Sequence, residues 1–227
     1  MLRELKAKTG GFYSSLDSDS EGKEGAYYTF TKQQVDELLG DDSEVFSVAY
    51  GVSAAGTING TNVLNKCASS GQISSLFSKS KEEVAQIIEQ SLTVLFAHRE
   101  SRPKPSTDTK ILTSWNALAI NAFVDAYIAF GNDSYLREAI ECANFLIGNA
   151  IDEEFNVNRS YCAGKSCVSG FLDDYAFTAN SFLYLYRVTF DARWLTYSKK
   201  LVDRIVDLFY HSASGMFYYA SSKSKQL

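Results

Sequence analysis

Two stretches of helix length, Trp115–Phe130 and Tyr175–Val188, are apolar on every face, and each carries a single charge, Asp125 in the first and Arg187 in the second. A helix without a wet face has to be covered on all sides. Neither stretch reads as a membrane span, because the first is broken by Asn116, Asn121 and Asp125 and no run approaches about eighteen apolar residues. Both are therefore read as interior helices. Each is followed by a block with one polar face, Ser134–Asn149 and Asp191–Phe209. In the latter, Trp194, Leu195, Leu201, Val202, Ile205, Leu208 and Phe209 recur at helical spacing between Lys199, Lys200, Asp203, Arg204 and Asp207. The links, Gly131–Asp133 and Thr189–Asp191, are short, so inner and outer helices alternate as αα-hairpins. The two hairpins superimpose at an offset that brings Tyr135-Leu136 onto Trp194-Leu195, the mark of a repeated array.

This pattern predicts an all-α fold, part of an α/α toroid, with a long irregular insertion and short β-turn hairpins. The expected segmentation is one partial toroid domain over 1–227. Within it, 1–13 ends a preceding hairpin (with Met1–Lys8 the remnant of an outer helix), and 14–113 is a long insertion over the pocket. The hairpins are 114–150 and 173–210, and 221–227 is a frayed tail. In the insertion, Thr31 and Gln34 form a capping box for a helix over Lys32–Leu39 that Gly40 ends, and Ser43–Tyr50 is a helix stopped by Gly51. Ser69–Lys81 is Ser-rich and reads as mobile, and Glu82–Arg99 is a helix running into Pro103 and Pro105. The two long connections, 10–114 and 149–172, both lead from an outer into an inner helix and so share an end, where loops on a rigid scaffold carry function.

With 22 Lys and Arg against 27 Asp and Glu, the net charge of −5 supplies no basic stripe for phosphates. Neither a nucleic acid nor a membrane is an expected partner. Met1–Gly10 contains no apolar stretch for a signal peptide, so the compartment is unknown, with the cytoplasm as default. Cys67, Cys142, Cys162 and Cys167 have neither redox nor zinc spacing. No P-loop, G-x-S-x-G, H-E-x-x-H or C-x-x-C motif occurs, and no cofactor or metal is expected.

Chemistry-bearing residues gather in three places. Asp17, Asp19, Glu21 and Glu24 put four carboxylates within eight residues, beside Tyr13, Tyr27 and Tyr28. The run reads as a solvated acidic turn, as a sugar site of acceptors and stacking faces, or as a calcium loop that lacks its twelfth-position Glu, which is Tyr28 here. Asp173, Asp174 and Tyr175 open the second inner helix. One acid caps the helix, expected to be Asp173, which leaves Asp174 to face the toroid axis with a raised pKa suited to general acid work. Trp115 and Asn116 open the first inner helix behind Arg99, Arg102, Asp108 and Lys110, where ion pairing and core packing compete with a ligand role. The candidate catalytic set is Asp174, Asp17 and Asp19, with Tyr13, Glu24, Tyr27, Trp115, Asn116, Asp173 and Tyr175 as substrate-binding candidates.

Four motifs, GGFYSSLDSDSEGKEGAYYTF over Gly10–Phe30, RPKPSTDTKILTSWN from Arg102 to Asn116, GFLDDYAF over Gly170–Phe177 and FDARWL over Phe190–Leu195, closely resemble the spermatogenesis-associated protein 20 family of thioredoxin-domain-containing proteins. The resemblance covers nearly the whole chain. It implies a six-hairpin glycosidase-like (α/α)6 toroid, of which this chain holds a part. It also implies a carbohydrate ligand, and a thioredoxin-like domain of the full-length protein lying before Met1. The chain departs from the pattern at Thr109, where a second aspartate is common, which removes an Asp-Asp pair there. Glycoside hydrolysis by paired carboxylates, or epimerisation, is the implied chemistry if the toroid is catalytic. The alternative is a non-catalytic binding or redox-adaptor module serving the thioredoxin-like domain.

Overall fold

Apolar helices pack where their neighbours can cover them, and the computed structural model, which describes residues 1–221, arranges the four long C-terminal helices as two hairpins. The chain divides into two compact units, one formed by Met1–Leu16 with Thr107 onward and the other by Asp17–Ser106. In chain order the strands are β1 (Ser15–Leu16), β2 (Asp19–Ser20), β3 (Lys23–Glu24), β4 (Thr107–Asp108), β5 (Ile111–Leu112), β6 (Asn158–Cys162), β7 (Lys165–Ser169), β8 (Tyr210–His211) and β9 (Met216–Phe217). The α-helices are α1 (Lys32–Leu39), α2 (Ser43–Tyr50), α3 (Ser70–Phe77), α4 (Lys81–Glu100), α5 (Thr113–Phe130), α6 (Asp133–Asn149), α7 (Leu172–Thr189) and α8 (Ala192–Phe209). Among the described residues no helix is long and apolar enough to cross a membrane.

In the larger unit the inner helices α5 and α7 pack side by side, and each pairs with the outer helix that follows it, α6 and α8. These are the hairpins expected from periodicity, of the kind from which α/α toroids are built. Phe182 of α7 sits 5.6 Å from Trp194 and 5.9 Å from Tyr197 of α8, ring centroid to centroid, and the Ser198 hydroxyl donates to the Ala179 carbonyl at 2.8 Å. Cys142 of α6 is buried, and burial pushes its thiol up to about 12, an inert packing residue. The strands β5, β6 and β7 form an antiparallel sheet, in which β5 leads into the first hairpin and β6 and β7 lie between the two hairpins in sequence, with Ile111 opposite Tyr161 and Asn158 opposite Ser169.

Met1–Lys8 is a turn, not the remnant of a helix. Leu5 N–H donates to the Met1 carbonyl at 2.9 Å, and Lys6 pairs with Phe12 in a single β-bridge. Eight residues gain little from helical hydrogen bonds alone. This segment is fixed instead by tertiary contacts. The Lys6 ammonium reaches Glu138 at 2.6 Å and Glu141 at 2.9 Å, which raises its pKa, and Gly11 lets the backbone approach Phe145 so closely that a Cβ would lie 2.9 Å from the ring.

The Asp17–Ser106 unit is more helical than the sequence suggests. The capping boxes at Thr31/Gln34 and the stop at Gly51 (φ 64°) are as expected. The segment read as mobile contains α3, which starts in a second capping box, Ser69 with Gln72, and buries Ile73 against Val45, Ala49, Val84 and Ile87. A third box, Ser80 with Glu83, starts α4. The buried Asn62 holds the loop, donating to the Phe30 and Ser53 carbonyls at 3.1 and 3.0 Å and accepting from Ser53 N–H at 3.0 Å. The expected frayed tail, 221–227, lies outside the described residues except for Ser221.

Although α5 and α7 are apolar all round, one stripe of each stays exposed in this unit: Trp115, Leu118, Ala122 and Asp125 on α5, and Phe177, Asn180, Leu183 and Arg187 on α7. Contiguous apolar surface of this kind binds apolar probes. The chain by itself is expected to enhance the fluorescence of a hydrophobic dye at neutral pH, and Leu118→Lys with Leu183→Lys to reduce that signal while shifting the thermal midpoint by no more than a few degrees. A dye-silent wild type would show that the stripes are covered in solution.

Candidate functional site at the mouth of the inner helices

The first turns of α5 and α7 meet at one carboxylate. Asp174 is fully buried; its Oδ1 accepts from the Ser114 N–H of α5 at 3.2 Å, and its Oδ2 accepts from the Phe171 N–H at 3.0 Å and from Arg159 Nη1 at 3.1 Å. Phe171, not Asp173, is the N-cap of α7, so Asp173 and Asp174 are its second and third helical residues. An acid at the third position reaches back to the cap N–H, as in one half of a capping box. This reverses the expected division of labour, since Asp174 holds the helix start and Asp173 remains partly exposed. The reason is the approach to the helix. Gly170 N–H donates to the Val157 carbonyl at 2.7 Å, a Cβ on Gly170 would lie 2.7 Å from that same oxygen, and the Tyr175 hydroxyl accepts from Val157 N–H at 2.9 Å. These contacts fix the helix start at Phe171.

Burial is the main cause that raises the Asp174 pKa; Asp173 adds repulsion, while the Phe171 N–H, Arg159 and Ser114 oppose the shift. Arg159, which the sequence reading missed, comes from β6. Its Nη1 also lies 3.5 Å from Asp173 Oδ1 and 3.4 Å from the Tyr219 hydroxyl, and its guanidinium rests 5.1 Å from the Phe171 ring centroid. Tyr219 stacks on Phe171 at 4.9 Å with an interplanar angle of 5°. Trp115, next to Ser114, is 53% exposed.

The other candidates divide into two groups. Asn116 is buried and spent, because its amide donates to the Phe12 and Leu112 carbonyls at 3.0 and 2.9 Å while its carbonyl accepts from Phe12 N–H at 2.7 Å. Tyr13 packs at the edge of the main core, and Tyr175 is buried against Phe209 at 5.2 Å, so both are packing residues. Asp17, Asp19, Glu24 and Tyr27 belong to the other unit. Asp19 pairs with Glu24 in the β2–β3 hairpin, whose turn residues Glu21 and Gly22 have φ of 54° and 73°. Asp17 Oδ1 accepts from Asp19 N–H at 3.1 Å and its Oδ2 from the Ser106 hydroxyl at 3.2 Å, which gives this acid the turn role open to it from sequence. Tyr27 is buried and donates to Glu100 at 2.6 Å. Glu100 is held down to about 2, mainly by Lys104 and then by Tyr27. In this unit a groove of 660 Å³, lined by Tyr28, Phe30, Leu92, Phe96 and Arg99, contains none of the candidate acids. Among the described residues no group of three or more His, Cys, Asp or Glu is arranged to hold a metal ion.

Removing the Asp174 carboxylate strands two buried N–H groups and the Arg159 charge. Asp174→Ala is expected to lower unfolding free energy by about 3 kcal/mol, whereas Asp173→Ala, which loses a favourable charge in the first turn, should cost less than about 1 kcal/mol. Chemical denaturation of both variants measures this. The raised pKa also fixes a sign. The folded state binds the Asp174 proton more tightly than the unfolded state, so stability from this group rises as pH falls through the raised value toward 3.8. The stability difference between wild type and Asp174→Asn should therefore move in favour of wild type on acidification from pH 7 to 4.

No protein-family model matches the chain. Among solved structures it is similar to cellobiose 2-epimerase from Bacillus thermoamylovorans, with a TM-score of 0.48 at 14% identity over 96% of this chain and 54% of that one. A D-mannose isomerase gives 0.47 at 14% over the same shares, and a GH76 α-mannanase from Bacteroides thetaiotaomicron gives 0.46 at 17% over 82% of this chain and 57% of that one. In sequence, the chain is 29% identical to an uncharacterised protein of Caenorhabditis elegans over 99% of its own length and 35% of the relative's. It is 29% identical to the human and 30% identical to the rat spermatogenesis-associated protein 20, in each case over 96% of this chain. The similarity that the four motifs carry thus extends along almost the entire chain, which spans 32% of the length of spermatogenesis-associated protein 20.

Proposed function

We propose that the mouth of α5 and α7 is a carbohydrate-binding surface. The observation that carries the reading is the combination at that mouth of exposed aromatic faces, Trp115 and Tyr219, with an anchored guanidinium and a partly exposed carboxylate, Arg159 and Asp173. A sugar ring presents apolar C–H faces to aromatic side chains and hydroxyls to such charged groups, and binding sites combine apolar lining with a few placed polar groups. Asp174 serves this surface by positioning, since both of its oxygens are engaged and it has no exposure. Tyr13, Asn116 and Tyr175 support it from the core.

The same geometry favours binding without turnover as the second reading. Carboxylate catalysis needs two free acids across one bond. Within the larger unit the acid beside Asp173 is committed to backbone and Arg159, and in the other unit Asp17 and Asp19 accept hydrogen bonds within their own turn. In this reading the toroid portion presents a glycan or a glycosylated partner to a thioredoxin-like domain lying outside this chain.

The chain has two tryptophans, and only Trp115 is exposed, Trp194 being buried at 1%. Quenching of the intrinsic fluorescence by acrylamide therefore reports on Trp115. Methyl glycosides of glucose, mannose and galactose, and short oligosaccharides of each, are expected to include a ligand that protects Trp115 from quencher, and Trp115→Ala should weaken its binding about tenfold, or about 1.4 kcal/mol. Full quenching in the presence of every sugar at tens of millimolar would show the reading to be wrong.

A further inference from the structure

Hydrogen-bond valences left unspent at the mouth narrow the ligand class. This inference rests on the carbohydrate reading and asks which groups would recognise the sugar. Arg159 commits only Nη1, to Asp173, Asp174 and Tyr219; its Nε and Nη2 have no hydrogen-bond partner among the described residues. Asp173 commits only Oδ1, which accepts from Asp174 N–H at 3.0 Å and faces Arg159 at 3.5 Å, and its Oδ2 has no partner among the described residues. Both side chains are partly exposed, 32% for Arg159 and 28% for Asp173. Neither is free to wander, because Asp174 and the Phe171 ring hold the guanidinium and the helix backbone holds the carboxylate.

A donor edge and an acceptor oxygen fixed side by side match two neighbouring hydroxyls, one accepting from the guanidinium and the other donating to the carboxylate. Charge decides between ligand classes. Asp173 and Asp174 against Arg159 leave the cluster one unit negative, so a sugar carboxylate or phosphate that approached Arg159 would meet the exposed Asp173. We infer that Arg159 and Asp173 form a donor–acceptor fork that recognises a vicinal diol of a neutral pyranose and discriminates against acidic sugars, with Asp174 as the positioning residue beneath it.

The test compares methyl glucoside, methyl mannoside and methyl galactoside with glucuronate and galacturonate, followed by calorimetry and by protection of Trp115. Wild type is expected to bind at least one neutral glycoside at least tenfold more tightly than either uronate, and to lose about tenfold when either hydroxyl of the recognised diol is replaced by hydrogen. Because Arg159→Gln leaves the buried Asp174 without its cation and can fail by misfolding, the deciding variant is Asp173→Asn, which keeps the size of the side chain. It should weaken the neutral glycoside about tenfold while narrowing its advantage over the uronate, since the repelling charge is gone. A merely structural Asp173 would weaken both ligands equally or neither, and that result overturns the inference while the carbohydrate reading stands. A uronate that binds wild type more tightly than every neutral glycoside overturns it as well. Absence of binding by every sugar overturns both.

Discussion

Two helix N-termini brought side by side place two sets of unpaired N–H groups and two positive dipole ends next to each other, an arrangement that calls for negative charge. Asp174 supplies it. One oxygen accepts from the first turn of α5 and the other from the cap of α7, and this is how a carboxylate with no exposure is tolerated in the interior. Arg159 then balances a charge that would otherwise stand alone against burial, and in doing so ties the β6–β7 hairpin to both helices. The inner pair, the sheet above it and the aromatic stack of Phe171 on Tyr219 are thus all fastened at one side chain.

Two other contacts keep that fastening in place. Gly170 lets the chain pass against the Val157 carbonyl, and Tyr175 receives the Val157 N–H, so both polar groups of one strand-flanking residue are satisfied by the start of α7. On the other helix, Asn116 engages its amide with the Phe12 and Leu112 backbone, which fixes the N-terminal segment over α5. Polar residues inside this unit therefore act as connectors between elements, and the apolar residues fill the space between them.

How much of this could be read in advance follows from how local each signal is. The helical hairpins were legible because a 3.6-residue period and a short link are properties of neighbouring residues, and the structure extends the inner helices by only a few residues at the front, to Thr113 and Leu172. Helix α3 had the same cap signal as α1, Ser69 with Gln72, but its Ser-rich body hid the single buried anchor, Ile73. The exchange of roles between Asp173 and Asp174 was not legible, because the helix start is set by Val157, which lies thirteen residues before Gly170. Arg159 is a lone arginine in a run of polar residues, and nothing nearby in sequence marks it. Its importance arises only when hairpin pairing carries β6 back alongside α7. The acidic run of Asp17–Glu24 was conspicuous in sequence, and most of that prominence reflects turn chemistry in a tight hairpin.

The exposed stripes of α5 and α7 are uniform in sequence pattern but not in what they can accept. Along most of their length they offer apolar side chains, Leu118 and Ala122 on one helix and Phe177 and Leu183 on the other, interrupted by Asn180 and single charges of opposite sign, Asp125 and Arg187. Covering such a surface with further apolar helix faces would release about 25 cal/mol for each Å² buried, with little polar cost. At the mouth the balance changes. There the stripe begins with Trp115, on the turn of α5 that Ser114 ties to Asp174, and Asp174 in turn holds the guanidinium, two of whose nitrogens, like one oxygen of Asp173, have no partner among the described residues. An apolar partner laid over these groups would strip water from a partly exposed charge pair without replacing its hydrogen bonds, a penalty of several kcal/mol that the area gained would have to exceed. A ligand with hydroxyl groups replaces those bonds as it displaces the water. On the proposed carbohydrate reading the first turn takes a polar, ring-shaped guest where the rest of the stripe offers apolar surface, and this difference comes from one acid holding two helices together while its neighbour stays partly exposed.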